Sequence, residues 1–174
     1  MAGAGHSVRG GLFDALGALF LLPVFGVPAA GAVYGLAYFP QERRGATAAR
    51  LQLVYGLTCA AMATVVLAAD AILFLVAWEV MALGGFLLVF TEHERPEAQR
   101  AAFVYLAATH VGTLVLFALF AVLGGGAGSF AFARMAAAGL PASAGVFLLA
   151  LGGFGMKAGL MPLHFWLPGA HAAA

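Results

Sequence analysis

Charge is scarce in this sequence. Lys, Arg, Asp and Glu together supply 9% of 174 residues, hydrophobic side chains supply 64%, and the mean hydropathy is +1.02. Soluble domains carry about 25% charged and about 45–50% apolar residues, so the composition excludes an ordinary water-soluble domain. The formal net charge of +1 leaves no basic patch for the phosphate contacts that nucleic-acid binding needs. Cysteine is nearly absent as well. With Cys59 alone, no disulfide forms within the chain, and an iron–sulfur cluster, which takes about four thiolates, cannot be held by it. In apolar surroundings the Cys59 thiol stays protonated and inert, so it reads as a small packing residue. If electrons move in this system, they move in a partner subunit, and no cofactor is expected on this chain.

What is present is a series of apolar runs separated by short polar links. After a polar N-terminus over residues 1–11, the run Leu12–Phe39 is much longer than the apolar core of a signal peptide, about 7–15 residues. It reads as a first membrane helix, tilted or kinked at Pro23 and Pro28, with Asp14 favoured by the dipole at its start. The link Pro40–Arg50 is polar. A second helix is predicted over 51–69 and a third over 71–90, with Asp70 between them as an N-cap or, alternatively, a proton-uptake carboxylate. The third helix holds Glu79 near its middle. The loop Thr91–Arg100 is the most charged segment and lies in water, with His93 solvated there. A fourth helix over 101–123 carries Thr109, His110 and Thr113, and the run GGGAG at Gly124–Gly128 ends it. A connection with a short surface helix near 130–138 leads to a fifth helix over 144–171.

That fifth segment breaks the rules of a membrane helix. The stretch LGGFGMKAGLMPLHFWLPGAH, Leu151–His171, carries a charge at Lys157, is loosened by Gly152, Gly153, Gly155 and Gly159, and meets Pro162 and Pro168. Each proline lacks an N–H and clashes with the turn before it. Backbone freed inside a bilayer must be satisfied by protein or by a water-filled cavity. A lysine at such a break implies a hydrated interior, which is the geometry of a transport site. Gly155 and Gly159 also form a small-xxx-small pair suited to close helix packing. Lys157, His164 and His171 fall at intervals of seven, near one face if the helix direction survives the breaks.

Arginine placement sets the orientation. Arg43, Arg44, Arg50, Arg95 and Arg100 occupy links on one side, against Arg9 and Arg134 on the other, so the first side is cytoplasmic and the N-terminus outside. At about 1.5 Å rise per residue, Glu79 lies about 16 Å and His110 about 14 Å from the cytoplasmic ends of their helices, and Lys157 about 20 Å from the outer end of its own. All three therefore share one level. An unpaired charge at mid-bilayer costs about 2.5–3.5 kcal/mol, so a Glu79–Lys157 pair across helices is expected. It serves ion movement, or else it is a static pair that fixes packing.

The ordered set FLVAWEVMALGGFLLVF with Glu79, YLAATHVGT with His110, and FGMKAGLMPLHFWLPGAH resembles the antiporter-like membrane subunits. These occur in respiratory complex I, Mrp-type cation/proton antiporters and membrane-bound hydrogenases such as formate hydrogenlyase. The likeness runs from about Leu12 to the chain's end, and the Thr109-His110 pair leans towards the hydrogenase-4 component B type. It implies an all-α membrane protein of about five transmembrane helices, the last broken, forming part of the first inverted repeat. It also implies an inner-membrane location in a prokaryote, and a non-catalytic proton-channel subunit coupled to electron transfer in partner membrane subunits of a hydrogenase or complex I-like assembly. In that likeness Glu79 is the mid-membrane glutamate and Lys157 the broken-helix lysine. Separating them lowers the lysine's proton affinity and releases its proton. His110 is a relay with accessible chemistry or a hydrogen-bonded packing residue, and His164 and His171 are polar positions after the break.

The departure from the pattern is length. Subunits of this type have about fourteen helices in two inverted repeats, and inverted-repeat transporters build their path from both halves. The sequence reads as a fragment or one piece of a split subunit, without the second repeat and its lysine, and with Ala172 where a proline is expected. Alone, it is expected to translocate nothing. Two readings from other classes stand beside this one. One is a b-type haem anchor using pairs of His110, His164 and His171 as axial ligands; the other is a structural bundle that assembles a complex.

Overall fold

The computed structural model describes residues 15–38, 46–92, 94–139 and 143–173. Seven α-helices lie in these segments: α1 (Ala15–Tyr38), α2 (Ala46–Leu67), α3 (Ala71–Val89), α4 (Pro96–Ala127), α5 (Phe132–Ala138), α6 (Ala144–Ala158) and α7 (Leu167–Ala173), with a 3-10 turn at Phe90–Glu92. Four of them, α1 to α4, are long and apolar enough to cross a membrane, and α6 is a shorter apolar helix. The architecture is all-α, as lipid demands of a spanning chain whose backbone must bond to itself. Asp14, Arg9, Arg43, Arg44 and His93 lie outside the described residues.

Local chemistry explains where the helices start and stop. Asp70 caps α3, its Oδ1 accepting from the Ile72 and Leu73 amides at 3.0 and 2.9 Å. Ser143 caps α6 through Val146 N–H at 3.2 Å. Helix α4 begins at Pro96, five residues before the expected start, because a proline in the first turn loses no helical hydrogen bond. It then continues through Gly124–Gly126 and stops at Gly128, which adopts the left-handed conformation at φ 63°. The glycine run therefore does not end the helix; only its last member does. At about 1.5 Å per residue, the 32 residues of α4 extend about 48 Å, more than a hydrocarbon core of about 30 Å. The 15 residues of α6 reach only about 22 Å.

Packing runs α1 on α2, α2 on α3, α3 on α4 and α4 on α6, with α5 and α7 folded back against α4. The α2–α3 turn is clamped to the α4–α5 link and the start of α5 by backbone bonds from Ala71 N–H to the Phe130 carbonyl and from Phe132 N–H to the Ala69 carbonyl, both 3.0 Å. One core gathers Ala71, Leu75, Leu116, Leu119, Phe120 and Met135, so the expected surface helix, α5, buries its methionine. Phe74 centres an aromatic group there, stacked on Trp78 at 5.2 Å and edge-on to Phe120, Phe132 and Phe154. A second core holds Tyr105, Ala108, Trp166 and Ala170 and ties the region after the break to α4. Helix α1 is peripheral, joined to α2 by the Tyr55 hydroxyl donating to the Pro28 carbonyl at 3.1 Å.

Candidate proton-transfer site

The break after α6 is a single one. Helix α6 ends at Ala158, and Gly159 adopts the left-handed conformation at φ 68°, its N–H bonding back to the Gly155 carbonyl. This is the glycine stop that L side chains adopt poorly. Leu160 N–H also bonds the Gly155 carbonyl at 2.9 Å, and Trp166 Nε1 donates to the Met156 carbonyl at 2.8 Å. Protein groups thus satisfy carbonyls that lipid would leave bare. Turns fill 161–166, including a cis Met161–Pro162 bond. Pro168 is the second residue of α7, where a first-turn proline is tolerated, so it opens a helix instead of breaking one. Because helical geometry stops at Ala158, the seven-residue spacing of Lys157, His164 and His171 does not make one continuous helical face.

Lys157 is the second-last residue of α6, half-buried at the break. Its Nζ donates to the Tyr105 hydroxyl at 3.2 Å and lies 5.4 Å from the Tyr105 ring centre and 5.8 Å from that of Trp78, within cation–π range. Glu79 lies at the middle of α3. Its Oε2 stands 3.4 Å from His110 Nε2, with the glutamate side chain 26% exposed and the histidine 48%. Glu79 Oε1 is buried without a hydrogen-bond partner among the described residues. The expected direct Glu79–Lys157 pair is therefore corrected: each charge takes its partner from α4. Helix α6 crosses α4 where Gly112 and Gly153 meet, which delivers Lys157 to Tyr105, while His110 faces α3. Lys157 still reaches the neighbourhood of Glu79, because the ring 5.8 Å from its Nζ is that of Trp78, the residue before the glutamate.

The Glu79–His110 contact has a protonic consequence. His110 Nδ1 lies 3.1 Å from the Leu106 carbonyl, and a carbonyl oxygen can only accept, so Nδ1 carries a proton. In a neutral ring Nε2 would then be a bare acceptor. It faces a carboxylate oxygen, which when ionised is also only an acceptor. A proton arriving at Nε2 would make the contact an ion pair, so the two side chains stand where one could pass between them.

The other anticipated polar groups sit apart. Thr109 and Thr113 are buried and bond their own helix, to the Tyr105 and Leu106 carbonyls and to the Thr109 carbonyl, all at 3.0 Å. His164 lies in the turn with its Nδ1 buried and without a hydrogen-bond partner among the described residues, and His171 is exposed on α7. Among the described residues no ion pair or hydrogen bond joins either to Glu79, His110 or Lys157. Tyr105, Trp78 and Trp166 were missed in the sequence because aromatic residues in apolar helices look the same whether they face lipid or a charge. The available signals were the position of Trp78 beside Glu79 and of Tyr105 on the helix of His110.

Residues 68–174 match the transmembrane family described as NADH:quinone oxidoreductase/Mrp antiporter. The chain is 38% identical over 161 residues to an uncharacterized protein of Mycobacterium tuberculosis, covering 92% of this chain and 25% of that one. It is 33% identical over 163 residues to hydrogenase-4 component B of Escherichia coli, covering 92% and 24%. It is also 32% identical over 112 residues to NADH-quinone oxidoreductase subunit N of Deinococcus radiodurans, covering 60% and 23%. The chain spans about a quarter of the length of these curated relatives.

Proposed function

Since this chain belongs to the membrane family of NADH:quinone oxidoreductases and Mrp antiporters, we propose that it forms a proton-translocating part of a redox-driven membrane complex. Electron transfer in partner subunits drives protons through Glu79, His110 and Lys157, and further helices of the same subunit complete the path. The chain is a multi-pass membrane protein; we place it in a prokaryotic inner membrane with its N-terminus outside. A hydrogenase of the component B type is favoured, because that relative aligns over 92% of the chain and the subunit N relative over 60%. Complex I and Mrp assemblies are the alternatives.

The observation that carries the reading is the approach of Glu79 to His110 at 3.4 Å, with a lysine at the neighbouring helix break. Unpaired intramembrane charges are expensive, and a purely structural bundle would not need one at the break. If a proton passes from His110 to Glu79, the carboxylate's charge near Lys157 is lost, and that change would couple the two groups to the lysine. His164 and His171 serve as later positions beyond the break.

The test uses the assembled complex in sealed vesicles, reading protons moved per electron together with complex yield. Lys157→Ala should leave assembly and electron transfer largely intact while proton movement collapses. Lys157→Arg should fail too, since a guanidinium with a pKa above about 12 does not release its proton. Normal pumping by Lys157→Arg would refute the reading and leave a static bundle.

A further inference from the structure

The geometry points to Tyr105 as the positioning residue for Lys157, holding the ammonium at the helix break and tying its place to the segment beyond that break. This deepens the proton-translocation reading and rests on it. The phenol oxygen accepts from Lys157 Nζ at 3.2 Å, and the ammonium lies within cation–π distance of the Tyr105 and Trp78 rings. A hydrogen bond from a charged donor is stronger than a neutral one. The aromatic rings stabilise a cation without adding a competing charge. They hold the ammonium while leaving Glu79 to its contact with His110.

Tyr105 is itself fixed on three sides. Its hydroxyl fits against Gly85 of α3, where a Cβ would run into the phenol oxygen, so any larger residue there would displace it. Its ring packs edge-on against Trp166 at 5.3 Å, and it is buried in the core with Ala108, Trp166 and Ala170. Trp166 in turn donates to the carbonyl of Met156, the residue before Lys157. Tyr105 thus touches the chain on both sides of the break: Lys157 upstream and Trp166 downstream. A shift of the segment after the break against α6 reaches the ammonium through this one side chain.

The experiment separates this assignment from the translocation reading it rests on. In the assembled complex, Tyr105→Phe keeps the ring and removes the acceptor oxygen; protons moved per electron should fall about tenfold or more, with complex yield and electron transfer retained. Infrared spectra of complex carrying ring-13C tyrosine supply the second readout. The phenol C–O band that Tyr105→Phe deletes should shift when Lys157→Met removes the ammonium, which an ordinary packing tyrosine would not show. Full translocation by Tyr105→Phe, or a phenol band unmoved by Lys157→Met, overturns the assignment. The band alone decides it if Tyr105→Phe lowers complex yield. Should Lys157→Met pump normally, the translocation reading falls, while the band still decides whether Tyr105 holds Lys157.

Discussion

Substituting Gly153 by alanine tests the helix crossing that places the site. A methyl built on Gly153 would stand 2.5 Å from Leu116 Cδ2 and 2.7 Å from Leu116 Cγ. Leu116 is fully buried in the first core, so it has nowhere to swing. Carbon atoms settle at about 3.5–4.0 Å, so α4 and α6 must separate by about 1 Å. Overpacking of this kind costs about 1–3 kcal/mol, and alanine returns about 1 kcal/mol of helix propensity. Gly152→Ala is the control: its methyl would meet only Val115 Cγ1, at 3.6 Å, and it gains the same propensity. The difference between the two variants therefore isolates the steric term, about 1–3 kcal/mol against Gly153→Ala. Lys157 follows one turn later, so the same separation carries its 3.2 Å contact with Tyr105 beyond hydrogen-bond range, about 3.5 Å. Reversible unfolding in mixed detergent micelles reads the stability difference, and protons per electron in vesicles read the functional one. Equal unfolding midpoints for the two alanine variants would refute the crossing, and with it the reason that Lys157 reaches α4.

Two further outcomes follow from the ends of the helices. Asp70→Ala removes the acceptor for the Ile72 and Leu73 amides and should cost about 1 kcal/mol of stability with translocation unchanged; a translocation defect at full complex yield would revive Asp70 as a proton-uptake group. Cysteines introduced singly at Gly45 and Glu97 should be labelled from the cytoplasmic face, as the arginine asymmetry requires, and labelling from the outer face at either position would reverse the topology.

Apolar runs, the polar links between them and the glycines before Pro162 were enough to read from the sequence an all-α membrane chain with a broken final segment. The reason is that each is a local property: run length against bilayer thickness, Asp70 as an N-cap, and glycine where the helix stops. The sequence also indicated that Glu79 and Lys157 could not sit unpaired at mid-membrane, since that follows from charge and depth alone. Partner choice was decided only in three dimensions. It depends on which helix α6 crosses, and that was set by Gly112 meeting Gly153, a contact between residues far apart in the chain. With α6 on α4, Lys157 met Tyr105 and Glu79 was left to His110. The same dependence explains Pro168, whose role as a breaker or a first-turn residue turned on where α7 began. It explains the missed aromatics too: Trp166 became a cap for a freed carbonyl only because the chain folded back after the break.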